Sequence, residues 1–392
     1  MASIASDTLF SLLTLVSFGL LVYAYGGYPI LLWLASKVTR RHAGRRGAPW
    51  HWPDVSVLVS AYNEEQVIDQ RLMNLLAIDY PRERLEFLVG SDGSTDQTCT
   101  IVKTYGEHGI RLVPFAQRRG KARVLNDLAM RARGTIMVLT DANTFFHPHA
   151  VRELVKALWS HPSACAVVGK LELRPAGPER NLDGLYWRYE TWIKKLESHF
   201  GAVLGANGAI YAFHRKRYRP LPNGAIVDDF LVPMLMRLHG GGEVFFVPAA
   251  KAYETSPAKV RDEFRRRMRI GAGDLQALIW TWRLLLPWKG IVSLVYFSHK
   301  VLRWFGPWLM LTGFVANLWL LGSPLFWWIF FAQLGFYGLG VIAALVRSVP
   351  ILGVAASGAR YFIVLNAALL IGFLRFALGA QRPFWGIAPR KV

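Results

Sequence analysis

Long uncharged runs alternate with polar stretches along this chain, and the runs come first. Residues 8–36 contain no charged side chain. About 20 apolar residues suffice to cross a bilayer, so this run predicts a membrane-spanning helix. The short segment before it carries only Asp7, and Lys37, Arg40, Arg41, Arg45 and Arg46 follow it. The excess of basic residues places the next part of the chain in the cytoplasm. A basic leader and a small-residue cleavage site are both missing, which argues against a cleaved signal peptide. A second uncharged run covers 304–346. As one helix it would reach about 65 Å, roughly twice a hydrocarbon core, so two antiparallel spans with a turn at Gly322-Ser323-Pro324 are expected. A weaker candidate covers 351–377, interrupted by Arg360 and Arg375. One span before and three after would leave the C-terminus outside, whereas Arg382, Arg390 and Lys391 favour the inside. Both topologies stay open.

Between Pro49 and about Ala250 the pattern shortens. β-rich runs at 55–60, 85–90, 111–115 and 135–140 alternate with helical stretches at 64–76, after Asp96, at 121–131 and from His149. Such alternation predicts an α/β domain with a mostly parallel sheet and helices on both faces. Ligands of such sheets bind at the carboxyl ends of the strands. Those ends are polar here: Ala61-Tyr62-Asn63-Glu64-Glu65, Ser91-Asp92-Gly93-Ser94-Thr95-Asp96 and Asp141-Ala142-Asn143. Any one of these would serve as a helix cap. Three on one sheet edge gather carboxylates that repel unless a cation joins them, and a hard divalent ion bridging to a diphosphate is the natural partner.

Composition sharpens this division. Of 392 residues 53% are hydrophobic, 15 are Trp, and Lys+Arg outnumber Asp+Glu by 46 to 26. Apolar and basic together fit a protein in or on an anionic membrane. Nucleic acid is disfavoured by the length of the apolar runs and the lack of a nucleic-acid motif. In 257–300, Arg265, Arg266, Arg267 and Arg269 are followed by Trp280, Trp282 and Trp288, which suits helices lying in the headgroup region. Cys99 and Cys165 lack partners at metal-site spacing and read as reduced thiols. The chain thus divides into an N-terminal span (1–37), a cytoplasmic α/β domain (49–256), interface helices (257–300) and a C-terminal membrane region of about three segments (301–392).

The ordered motifs of about 55–278 resemble an inverting glycosyltransferase of family 2 with the GT-A fold, related to the hyaluronan, chitin and cellulose synthase group. The resemblance assigns Tyr62, Asn63, Glu64, Asp92 and Lys121 to the nucleotide. Asp141 and Asn143 take the metal-binding Asp-x-Asp position, with Asn in place of the second Asp, and imply Mg2+ or Mn2+. Gly205, Asn207, Gly208 and Asp228 fall at the donor-sugar and acceptor pocket, and Asp229 at the catalytic base. Arg266-Arg267-Met268-Arg269-Ile270 stands where related synthases carry Gln-x-x-Arg-Trp, which gives Arg269, with Arg266, to the diphosphate. An ordinary tight turn at 205–209 and a helix N-cap at Asp229 are the plain structural alternatives.

The resemblance implies a nucleotide-sugar donor, UDP ahead of GDP, and a protein of the cell (inner) membrane. Ile270 replaces an aromatic platform for a growing sugar chain, and three or four spans are few for a polysaccharide channel. A lipid or lipid-linked acceptor is therefore expected, with processive polysaccharide synthesis as the alternative. A transporter would place ionisable residues within its spans, and 304–346 has none. A tethered nucleotide-sugar-binding protein without turnover would have lost the base. A dinucleotide enzyme would carry Gly-x-Gly-x-x-Gly after the first strand.

Overall fold

The computed structural model describes residues 2–39, 52–174, 183–206, 210–255, 260–345 and 353–380. Asn207, Gly208, the basic residues 40–46 and the C-terminal tail from 381 lie outside them.

The N-terminal apolar run forms α1 (Ala2–Val22), one π-helical turn (Tyr23–Gly27) and α2 (Tyr28–Val38). Pro29 explains the interruption: it has no N–H to give to the carbonyl one turn earlier. The freed groups find side chains instead. The Tyr25 carbonyl accepts from Tyr189 Oη at 2.6 Å, and the Ala24 carbonyl accepts from Arg303 Nε and Nη2 at 3.3 Å. The helix is thereby tied to the polar domain beyond it.

That domain runs β1 (Val55–Ala61), α3 (Ile68–Leu76), β2 (Leu85–Asp92), α4 (Thr98–Thr104), β3 (Ile110–Phe115), α5 (Lys121–Arg131), β4 (Ile136–Asp141), β5 (Phe145–Phe146), α6 (Ala150–Ser160), β6 (Ala164–Arg174), α7 (Asp183–His199), β7 (Tyr211–His214), α8 (Asp228–Gly240) and β8 (Glu243–Thr255). The strands form one sheet in the order β3-β2-β1-β4-β7-β6-β8-β5. Strands β3, β2, β1 and β4 are parallel, as are β6 and β8. Strand β7 is antiparallel to both its neighbours, and β5 to β8. The sheet is mostly parallel, as its alternating runs predict. Every residue of β1 is buried, which fits a central strand covered on both faces. One apolar core on each face confirms the two layers of helices. The first helix begins at Ile68 rather than at residue 64, because residues 64–67 are held in turns by the neighbouring strand end.

After β8 come α9 (Val260–Thr281), short 3-10 turns, α10 (Ile291–Val295), a π turn (Tyr296–Val301), α11 (Leu302–Trp304), α12 (Gly306–Leu318), α13 (Pro324–Leu345) and α14 (Gly353–Ala377). The chain reverses at the Gly-Ser-Pro turn, as its sequence predicts. Helix α12 has 13 residues, about 20 Å, because Gly306-Pro307 restart the helix late. Among the described residues, three helices are long and apolar enough to cross a membrane: Ser6–Val38, Pro324–Ala343 and Ala356–Ala377. Helices α9 and α14 touch backbone to backbone. A Cβ on Gly271 would lie 3.1 Å from Leu369 Cα, and one on Gly372 would run into the Met268 carbonyl oxygen. The arginine-bearing helix is thus seated directly on an apolar helix.

Candidate active site

The first two strand ends are stitched together. Asn63 takes φ 51°, a conformation Asn tolerates better than most residues. There its N–H donates to Ser94 Oγ at 3.1 Å, its amide donates to Thr95 Oγ1 at 3.2 Å, and its Oδ1 accepts from Thr95 N at 2.8 Å. Glu64 N donates to Thr98 Oγ1 at 2.8 Å, and Glu65 N to Asp96 Oδ2 at 3.1 Å. These bonds fix residues 62–65 against residues 94–98 at one strand edge. Tyr62 lies under the Arg118 guanidinium, 3.8 Å from ring centroid to Cζ.

Asp92 ends β2 and is almost wholly buried. Its carboxylate accepts from Arg119 N at 2.6 Å and from Gly120 N at 2.9 Å. It thereby shapes the loop before α5, which lines a cleft of ≈ 270 Å³ with Gly224 and Ala225 on the far wall. Lys121, the first residue of α5, points to the ends of β4 and α8. Its Nζ is 2.6 Å from Asp141 Oδ1 and 3.0 Å from Asp228 Oδ2. Burial opposes its charge, but the two carboxylates together hold the ammonium above its ordinary range. For Asp228, burial outweighs Lys121, and Asp229 and Asp141 add repulsion, so the carboxyl is pushed up to about 6. One ammonium therefore bridges the carboxylates at the end of β4 and the start of α8.

Asp228 and Asp229 open α8, where the helix dipole favours negative charge. The segment before β7 is bound to this turn: Ala206 N donates to the Asp229 carbonyl at 2.9 Å. Gly205 has φ 74°, and a Cβ there would lie 2.8 Å from Phe230 Cα, so only glycine lets the two backbones approach so closely. Helix α9 clamps the other side. Gln276 accepts from Ile226 N at 3.1 Å and donates to the Gly224 carbonyl at 3.1 Å. A Cβ on Gly273 would meet Val227 Cγ1 at 2.8 Å.

Arg269 of α9 lies within electrostatic reach of the acids. Burial pushes its guanidinium down, and Asp228, Asp229 and Asp141 oppose that shift. Arg266 is engaged elsewhere, in a bidentate pair with Glu263 at 2.8 and 2.9 Å. Of the two arginines expected at a diphosphate, Arg269 is the one on which Asp228, Asp229 and Asp141 act.

Asn143 donates its amide to Glu254 Oε1 at 2.9 Å, which turns its carbonyl oxygen away from that carboxylate. Among the described residues no three His, Cys, Asp or Glu side chains form a metal cage. Mg2+ in phosphate-handling sites is held by one or two protein ligands and completed by phosphate oxygens. The hard oxygen donors Asp141 and Asn143, at the end of β4, fit that arrangement.

Two side chains of this centre escape the motif reading. Arg71 is fully buried under the end of β4. It donates to Thr140 Oγ1 at 2.8 Å and to Asn74 Oδ1 at 2.6 Å, stacks on Phe146, and is pushed by burial to about 9 while Asp141 opposes the shift. Tyr211 is buried beside Lys121, Asp141 and Asp228, and its hydroxyl has no hydrogen-bond partner among the described residues. One arginine in an amphipathic helix and one tyrosine in a short strand carry no local sign of their neighbours, which come from distant segments.

Residues 56–216 match the model of "Glycosyl transferase family 2". A probable glycosyltransferase of Bacillus subtilis (strain 168), YdaM, is 29% identical over 239 residues, covering 57% of this chain and 55% of that protein. The poly-beta-1,6-N-acetyl-D-glucosamine synthase of Staphylococcus epidermidis is 23% identical over 237 residues, with the same coverage. The chain thus spans about half the length of the curated relatives it matches. Among solved structures, the mannosyltransferase PcManGT of Pyrobaculum calidifontis, described in complex with GDP-Man and Mn2+, aligns with a TM-score of 0.71 at 22% identity, over 96% of this chain and 100% of that one. The two share the GT-A-type fold.

Proposed function

We propose that this chain is a glycosyltransferase of family 2 and moves a sugar with inversion from a nucleoside-diphosphate sugar to a lipid or lipid-linked acceptor at the cytoplasmic face of the cell membrane. The observation that carries the reading is the cluster of Lys121, Asp141 and Asp228, with Asp229 next in the chain and Arg269 within electrostatic reach. It gathers a base and two cations for a leaving diphosphate at one sheet edge.

In this reading Tyr62, Asn63, Glu64 and the loop shaped by Asp92 hold the nucleotide. Gly205, with Asn207 and Gly208 beyond it, keeps the backbone small beside the donor sugar. Asp229 accepts the proton of the acceptor hydroxyl as its oxygen bonds to the anomeric carbon, which makes a weak nucleophile competent. The bond from that carbon to the diphosphate breaks on the opposite side, and both its electrons leave with the nucleotide. Arg269 donates to the departing phosphate oxygens, where its fork geometry suits two bonds, and Lys121 adds a second charge in a dry site. A divalent cation, Mg2+ or Mn2+, on Asp141 and the Asn143 oxygen would supply further charge neutralisation. UDP is favoured over GDP by the family resemblance.

Single transfer is favoured over polymer synthesis because Ile270 packs against the domain's core and offers no exposed aromatic platform. The placement of the arginine helix on α14 supports an acceptor drawn from the membrane. The test is turnover of protein in lipid with a panel of UDP- and GDP-sugars, with and without Mg2+ or Mn2+. Nucleoside diphosphate release together with a small labelled lipid product is the expected outcome. A long polymer would point to the processive alternative, and nucleotide binding without release to a tethered binding protein.

A further inference from the structure

The second position of the Asp-x-Asp pattern is Asn143 in this chain. An Asn side chain can ligate a hard cation only through Oδ1, and its oxygen and nitrogen ends have nearly the same shape. Something must therefore decide which end is presented. Asp141 ends β4, and Asn143 lies in the turn that follows, where Thr144 N donates to the Asp141 carbonyl at 3.4 Å. Strand β5 then runs antiparallel to β8 with Phe145 opposite Tyr253. This pairing brings Glu254 alongside the turn, and β6 flanks it through Leu173. There Asn143 Nδ2 donates to Glu254 Oε1 at 2.9 Å, a contact between residues 111 positions apart.

A carboxylate has lone pairs and no proton to give, so only the amide nitrogen can face it. Asn143 Oδ1 is left turned away from Glu254, and among the described residues no hydrogen bond occupies it. A cation meets an oxygen that is already oriented. The same bond draws positive charge toward the carboxylate and leaves Oδ1 richer in electrons, as outer carboxylates do for metal-bound groups. It also explains why Asn is tolerated. An Asp at 143 would set two carboxylates at hydrogen-bond distance, where they repel unless a cation lies between them. With Asn at 143 the negative charge sits one hydrogen bond further out, on Glu254.

We propose that Glu254 is a positioning residue for the divalent cation: it holds the Asn143 amide with Oδ1 turned to the metal and supplies the negative charge that a second Asp would have brought. This rests on the transferase reading and deepens it, since the Asp-x-Asn position then binds its cation by virtue of a residue from a distant strand.

The test is calorimetric binding of UDP, and in a second series GDP, to the detergent-solubilised full chain over a range of Mn2+ concentrations, with no sugar present. The readout is the Mn2+ concentration that gives half of the gain in nucleotide affinity, together with the affinity in EDTA. Glu254→Leu should raise the Mn2+ requirement by about 10–100-fold, the worth of an outer partner of a metal ligand, and leave nucleotide binding in EDTA unchanged. Glu254→Gln offers Asn143 a donor as well as an acceptor, so it should also raise the requirement, by less; being nearly the same shape, it carries the test if Glu254→Leu fails to fold. Asn143→Asp combined with Glu254→Gln returns the carboxylate to 143 beside an amide and should recover most of the loss. An unchanged Mn2+ requirement in Glu254→Leu overturns the positioning role, as does a combined variant no better than Glu254→Gln alone. An equal fall of nucleotide binding in EDTA would make the effect one of general structure and overturns it too. Asp141→Ala separates the two levels of the reading. If it loses the Mn2+ effect while Glu254→Leu keeps it, Glu254 alone is excluded; if Mn2+ does nothing in the wild type, the metal reading falls and this proposal with it.

Discussion

Lys121 Nζ lies 2.6 Å from Asp141 Oδ1. The contact joins the first residue of α5 to the last residue of β4, two elements that share no local sequence. Lys121→Met leaves the acids with no ammonium in hydrogen-bond range. Nucleoside diphosphate binding should weaken and turnover should fall by roughly 10²–10³-fold, the range seen when one preorganised electrostatic group is lost. Binding by calorimetry and kcat/KM on the same preparation check this. A variant within twofold of wild type in both would remove Lys121 from the donor site.

Asp229→Asn keeps the size and the start of α8 but cannot take a proton. Transfer should drop by about 10²–10⁴-fold, the worth of general-base catalysis, with nucleoside diphosphate affinity nearly unchanged. Wild-type turnover in this variant would sink the assignment of the base.

Asp228 gives a pH dependence with a definite sign. Its carboxyl is raised from 3.8 to about 6 in the folded chain, so the unfolded chain ionises it more easily. Stability from this group is therefore highest below about 4, falls as pH rises to about 6, and stays low above that. Asp228→Asn should melt higher than wild type at pH 7.5 and lose that advantage at acid pH. Conversely, wild-type activity should decline as pH drops through about 6, where protonation breaks the pair with Lys121. A flat kcat/KM profile between pH 5 and 7 would show that ionised Asp228 is not needed.

Much of this site is legible in sequence because strand ends of a parallel sheet converge by rule. Residues 62–65, 91–96 and 141–143 are polar and follow apolar runs, so the sheet alone places them together. The residues that were not legible are those whose role depends on a second, distant segment. Arg71 is one polar position on an amphipathic helix, and its salience comes from Thr140 above it. Gln276 lies within the stretch that reads as interfacial, yet it holds the loop before Asp228. Arg266 sits in the expected motif but is claimed by Glu263 one turn earlier, a competition that depends on which way α9 is turned. The pattern also divides 304–346 at the correct turn without revealing that Gly306-Pro307 shortens the first piece.

Arg303 joins three parts of the chain. It pairs with Glu190 of α7 at 2.6 Å and donates to the Ala24 carbonyl at the π turn of the N-terminal helix. Burial would raise the Glu190 carboxyl, yet His299 and Arg303 hold it well below the usual range. Arg303→Met would leave a buried carboxylate poorly compensated, at a cost of about 3–5 kcal/mol. The thermal midpoint in detergent should fall clearly, and the N-terminal helix should become more open to protease near Ala24. Arg303→Met combined with Glu190→Gln should recover much of the loss. No recovery in the double variant would mean that the bonds to Ala24, not the ion pair, carry the stability.

Gly372 tests whether the membrane region sets the geometry of the catalytic domain. It lies on α14, and its Cα faces the Met268 carbonyl and Ala272 N, the latter 2.9 Å from where a Cβ would be. Met268 immediately precedes Arg269, on which the acids act, and four residues after Ala272 Gln276 holds the loop before Asp228. Any side chain at Gly372 must push α9 away, because the clash is with backbone rather than with a flexible tip. Gly372→Val should therefore misplace Arg269 and Gln276 together, although it touches neither. A displacement of about 1 Å is enough to cost about 10²-fold in rate. The expected result is a fall in kcat with weaker nucleoside diphosphate binding, and a smaller effect for Gly358→Val, since Gly358 is on the same helix with open space around it. Equal effects at the two positions would show that α14 matters for insertion or folding only, and that the arginine helix keeps its place without it.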